Sequence, residues 1–96
     1  MIKRKAKTSK QLERHLKGVA NHRRIDILLL IAGSNGISLE SIATTLDCNF
    51  KTISEHTRRL YHAGLINKKY LGRNVIHTPS PYGRILTRLI KTFQHS

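Results

Sequence analysis

Residues 37–66 read ISLESIATTLDCNFKTISEHTRRLYHAGLI, two short helices separated by a tight turn. Ser38 is placed to cap the first, whose Ile42, Ala43 and Leu46 recur at helical spacing. Asp47 ends it, since a tight turn favours Gly, Asn or Asp there. Cys48 follows as a small apolar residue with no base or metal partner implied beside it, so burial is expected rather than reactivity. Asn49 caps the second helix, FKTISEHTRRLYHA, and Gly64 closes it with its tolerance of left-handed geometry. The wheel of this helix divides. Ile53, Thr57 and Leu60, flanked by Phe50, His56 and Tyr61, form one side; Lys51, Thr52, Glu55, Arg58, Arg59 and His62 form the other. Phe50 and Tyr61 are therefore expected in the core rather than stacked on unpaired bases.

Upstream, Leu12, Leu16 and Val19 predict a helix from about residue 8 to 19. Asn21 then caps a helix over 22–32. Its Ile25, Leu28, Leu29 and Ala32 share one face while Ile27, Leu30 and Ile31 wrap round the rest, the composition of a central helix. Downstream, LINKKYL and NVIHTP, joined around Gly72–Arg73, predict a β-hairpin carrying basic residues. Ser80 and Pro81 start a last helix, along which Tyr82, Ile85, Leu86, Leu89, Ile90 and Phe93 keep the i, i+3, i+4 pattern. The expected class is mainly α with a small β-hairpin, about five helices and a two-stranded wing.

Ninety-six residues allow one domain, read as a flexible basic arm over 1–10 and a folded unit over 11–96. Eighteen Lys+Arg stand against five Asp+Glu, a formal charge of +13 that self-repels unless a polyanion neutralises it. The apolar run from Ile27 to Ala32 is too short to cross a bilayer, and the basic N-terminus lacks the apolar stretch of a secretory signal. One cysteine excludes an internal disulfide and a multi-cysteine metal site. The five acids are scattered, and neither a phosphate-binding glycine loop nor an activated nucleophile occurs, so no catalytic residues, cofactor or enzymatic activity are expected. Nucleic acid is the expected partner, with no membrane, in the cytoplasm and on the nucleoid.

Together, these elements are the ground plan of a winged helix-turn-helix: one helix fits the major groove, its predecessor braces it and the hairpin reaches neighbouring phosphates. Over roughly residues 12–90 the chain resembles the ArsR-like winged helix-turn-helix repressors. KGVANHRRIDILLLIA (17–32), with the Arg24–Ile25 pair, is similar to that family's entry into its second helix. The 37–66 stretch resembles its helix-turn-helix, through Ser54–Glu55–His56 and the ending Leu60-x-x-Ala63-Gly64-Leu65-Ile66; GRNVIHTPSPYG (72–83) is similar to its wing return. The FKT variant at 50–52 resembles archaeal members. The family's metal sensors use a cysteine pair on the brace helix, or acid and histidine ligands on the last helix. Glu40, Ser41 and a lone terminal His95 match neither, and a zinc site from His15 and His22 across a dimer is disfavoured, so no metal is expected. Thr57 stands where the family usually has Leu, a mild core defect.

The expected function is a sequence-specific regulator of transcription, a repressor, that binds double-stranded DNA as a homodimer. Thr52, Ser54 and Glu55 lie in the half of the helix that meets base edges. Glu55 either accepts from a cytosine amino group or merely pairs with Arg58 or Arg59. Lys51 and Arg58 suit phosphate or guanine. Arg59, Lys68 and Lys69 read either as contacts or as solvated charges, and Arg73 at the hairpin tip suits a phosphate or the minor groove. The resemblance implies a two-fold dimer built from the first and last helices, through Leu12, Leu16, Ile85, Leu89 and Phe93. The competing arrangement folds the last helix onto Ile27, Leu30 and Ile31 in a monomer. The charge alone supports a sequence-blind DNA- or RNA-binding chromatin-type or ribosome-associated protein equally well. A third reading is a winged helix that binds proteins.

Overall fold

The structure, a computed structural model, describes residues 5–96; Lys3 and Arg4 of the expected arm lie outside the described residues. The chain forms α1 (Ser9–Val19), α2 (His22–Ala32), β1 (Ile37–Ser38), α3 (Leu39–Thr45), α4 (Phe50–His62), β2 (Ile66–Leu71), β3 (Asn74–Pro79) and α5 (Pro81–Gln94). Ser9 and Lys10, counted with the arm, already belong to α1. Thr8 explains why: its hydroxyl accepts from the Gln11 amide while the Gln11 side chain accepts from Thr8 N–H, a reciprocal cap.

The other helices start where the caps were read. Asn21 accepts from the amides of Arg23 and Arg24, Ser38 from Ser41, Asn49 from Lys51 and Thr52, and Ser80 from Gly83. Asp47 adopts φ 49°, and Asp47 N–H and Cys48 N–H donate to the carbonyls of Thr44 and Ala43. Gly64 at φ 75° repeats this ending on α4, with Gly64 N–H on Tyr61 O and Leu65 N–H on Leu60 O. Two left-handed residues thus set the helix-turn-helix: one aims α4 away from α3, the other returns the chain into the wing.

The sheet differs from the expected two strands. β1 adds to β3 antiparallel, with Ile37 opposite His77, and the order is β1-β3-β2. The hairpin proper pairs Ile66 with Pro79 through to Leu71 with Asn74. Its two-residue loop has Gly72 at φ 62° in the first position, where a II′ turn wants glycine. His77 closes the sheet from inside: it is 2% exposed, and its Nδ1–H donates to Ile37 O at 3.1 Å.

α2 is central and packs against α1, α3, α4, α5 and β3. Its fully buried residues are Ile27, Leu28 and Ile31, with Ile25 and Leu30 at the margin, so the innermost face is turned from the expected Ile25–Leu28–Leu29–Ala32 arc. Ile42 and Ala43 of α3, Ile53 and Leu60 of α4, and Ala63, Leu65 and Ile66 after it complete the core. Each large aliphatic side chain there contributes about 1.5–3 kcal/mol. Cys48 is half-buried and packs on this core.

The short Ala63–Leu65 turn is gripped from two sides. From α1, His15 Nδ1–H donates to Ala63 O at 2.7 Å, and Gly18 lies so close to Ala63 that no side chain fits between them. From the start of α5, Ser80 Oγ–H donates to Gly64 O at 2.6 Å and Ser80 N–H to Leu65 O at 3.1 Å, while Gly83 abuts the Leu65 carbonyl.

Candidate nucleic-acid interface

α4 is held by Ile53, Thr57 and Leu60, all buried. Thr57 is no defect in hydrogen bonding, because its hydroxyl donates to Ser54 O at 2.9 Å within the same helix. Lys51, Thr52, Glu55, Arg58 and Arg59 are exposed on the outer side, as the wheel predicts, and Ser54 is half-buried between the two sides. Phe50 and Tyr61 correct the wheel. They are 50% and 44% exposed, because the arc of α4 covered by the body is narrower than the apolar arc of the sequence.

The outer side is tied together by one carboxylate. Glu55 Oε1 accepts from Arg58 Nη2 at 2.6 Å and from Arg59 Nε at 3.2 Å, while Oε2 accepts from Arg58 Nε at 3.2 Å. The Arg58 hydrogen bonds, then those of Arg59, hold the Glu55 carboxyl below the usual carboxylate range; the same bond raises Arg58. All three side chains stay open to solvent.

Lys68 on β2 is half-buried, and its ammonium stands 4.7 Å from the centroid of the Tyr61 ring. A cation over an aromatic face gains about 0.5–1 kcal/mol at an exposed site and here ties the wing to the end of α4. Tyr61 is thus a platform, a role its helical position did not suggest. Arg73 is exposed at the wing tip, beside Tyr70 and Leu71, which are also exposed. Those two were not singled out from the sequence; the signal was their place at the end of a strand with no opposing layer.

Behind α4, His56 Nδ1 and Arg24 Nε are buried without a hydrogen-bond partner. Burial first, then the positive charges of Arg24 and Arg23, push the His56 imidazole below its ordinary value. Among the described residues, no group of three His, Cys, Asp or Glu side chains is placed to hold a metal.

A second surface differs in chemistry. Leu12 and Leu16 of α1 and Tyr82, Ile85, Leu89 and Phe93 of α5 are all exposed, Phe93 at 72%. α5 also reaches inward: Gly83 and Thr87 are buried, and Leu86 and Ile90 pack on the core. The helix therefore does fold back on the body, yet leaves a whole apolar stripe uncovered. Between α1 and α5 a groove of about 320 Å³ is lined by Leu12, His15, Leu16, Tyr82, Ile85 and Leu86. His15 packs on Tyr82 with ring centroids 5.0 Å apart, and the Lys7 ammonium lies 4.4 Å from the centroid of the same Tyr82 ring.

No protein-family profile matches the chain, and no curated protein does. Solved structures do. HlyU from Vibrio cholerae N16961 superposes with a TM-score of 0.84 at 25% identity, over 96% of this chain and 100% of that one. A 1–100 fragment from Mycobacterium bovis, described as a possible transcriptional regulatory protein, gives 0.81 at 28% identity, over 97% and 100%. The solution structure of the same M. bovis fragment, described as a homodimeric winged helix-turn-helix DNA-binding domain of a possible ArsR-family regulator, gives 0.81 at 24% identity, over 96% and 91%. With this architecture, this order of motifs and these neighbours, the chain has the winged helix-turn-helix fold, as the ArsR-like resemblance of its sequence implied.

Proposed function

We propose that the protein is a sequence-specific, double-stranded DNA-binding regulator of transcription that works as a homodimer and represses by occluding a promoter. The observation that carries this reading is the outer side of α4: Lys51, Arg58 and Arg59 with Thr52 and Ser54, exposed on a helix whose opposite side is anchored in the core of a +13 chain. In the major groove, Thr52, Ser54 and Glu55 face base edges while Lys51 and Arg58 take phosphate or guanine. Arg59, Lys68 and Arg73 lie along the backbone or the minor groove, with the wing spanning about residues 65–79. The uncovered stripe of Leu12, Leu16, Ile85, Leu89 and Phe93 supports two-fold association, and the one neighbour described as homodimeric supports it too. Two-fold symmetry then calls for a pseudo-palindromic site with half-sites about one helical turn apart. Such a protein works in the cytoplasm, on the nucleoid, with no cofactor, metal or catalytic step.

The test is selection of bound fragments from genomic or random duplex, followed by competition. The selected site should be preferred over random duplex by at least ~10³-fold, with affinity falling steeply with salt, by about 0.9 in log–log slope per neutralised phosphate. Arg58→Ala should weaken the selected site by about 1–3 kcal/mol. Equal affinity for random duplex would instead establish the sequence-blind binder that the charge alone favours. An unchanged affinity in Arg58→Ala would remove α4 from the groove.

A further inference from the structure

Glu55 is the sole acid of α4, and it engages both of the helix's arginines. The spacing brings them together: residues three and four positions on lie over the same helical face, and long side chains lean toward the N-terminus. Both guanidinium groups are thereby drawn back onto Glu55, in the half of the helix suited to base edges. Exposed pairs of this kind add little to folding stability, so stability does not explain why one carboxylate holds two arginines.

Its effect falls on binding. Glu55 takes the Nε edge of each guanidinium and offsets its charge, leaving the outer N–H groups to reach a phosphate. An arginine that does so brings the carboxylate up against phosphates of its own sign. One class of group in the major groove reverses this penalty: a base amino group, above all cytosine N4, which donates to the carboxylate and compensates its charge. Repulsion of unsuitable partners is an established route to discrimination.

We propose that Glu55 is the specificity-determining residue of the α4 surface, its negative charge opposing phosphate contact by Arg58 and Arg59 except where a base amino group donates to its carboxylate. This rests on the reading of α4 as a major-groove helix. Glu55→Gln keeps the shape, removes the charge and lies at an exposed position, so the fold is retained. Dissociation constants of wild type and E55Q are compared, at one salt concentration, for the selected site and for random duplex of equal length. Random duplex should bind E55Q about tenfold tighter, with the log–log salt slope steeper by about 0.9 or more as arginines no longer offset by a carboxylate neutralise phosphate. The selected site should gain less or weaken, so that selectivity falls at least about tenfold and the preference at one base pair is lost on reselection. An unchanged ratio overturns the proposal, whether both affinities move together or neither moves. Absence of duplex binding by the wild type is a different result: it overturns the reading of α4 and takes the proposal with it.

Discussion

α4 and α5 are both amphipathic, both begin at an asparagine or serine cap, and both bury one side against α2. They differ on the side turned away from the core. α4 shows Lys51, Thr52, Glu55, Arg58 and Arg59 to solvent, whereas α5 shows Tyr82, Ile85, Leu89 and Phe93 alongside Arg84, Arg88 and Lys91. Helical periodicity alone says that each has an inside. What each outside meets is decided by its chemistry: hydrogen-bonding and cationic groups suit a wet polyanion, while an uncovered apolar stripe gains by excluding water against another apolar surface.

The contrast is broken most forcefully on α5. Ile85→Asp with Leu89→Asp places charge in the stripe without touching the core, so the fold should persist. The wild type should scatter light as twice the 11.0 kDa chain and the variant as a single chain. The loss of linked binding should weaken the selected duplex by about 10²–10⁴-fold. A variant that stays dimeric would assign the stripe another role. The inner side of α4 comes next: Ile53→Ala should cost about 2–5 kcal/mol in urea unfolding, whereas Lys51→Ala on the outer side should stay within about 0.5 kcal/mol. Similar losses from the two would erase the inside–outside division.

The smallest effect is in titration. Burial, then Arg24 and Arg23, lowers the His56 imidazole; burial also lowers His77, reinforced by Lys68 and opposed by the hydrogen bond to Ile37. Both are thus favoured neutral in the fold, and the unfolded chain takes up protons first as pH falls. The stability they contribute is present above the ordinary histidine value near 6.5 and is lost as pH drops through their lower folded values. Urea midpoints should decline from pH 7.5 to 5, a window that leaves Glu55 ionised, and His56→Asn should flatten part of that decline. A profile identical to wild type would show that His56 does not titrate in this window.

Much of the fold was legible because its signals are local. The caps at Asn21, Ser38, Asn49 and Ser80 act within three residues, and the Ile53–Thr57–Leu60 row repeats within one helix. What escaped depends on distant partners. β1 is two residues long, too short for any alternation to register, and exists because His77 pairs with Ile37 forty positions away. His15 is buried for a similar reason, its ring bonded to Ala63, 48 positions on. Of the candidate site, the outward placement of Lys51, Arg58 and Arg59 could be read from the wheel, and the pairing of Glu55 from spacing. The position of Lys68 over Tyr61 could not, since it requires the wing to be docked.

The grip on Ala63–Leu65 has a mechanical consequence. Gly18 meets the Ala63 methyl and Gly83 meets the Leu65 carbonyl, neither with a side chain of its own as cushion, so α1 and α5 seize the heel of α4 at close range. In a pair of subunits joined through α1 and α5, such a joint has little slack. A small tilt at the shared axis would be carried undamped to both distal tips, like the jaws of callipers set from the hinge.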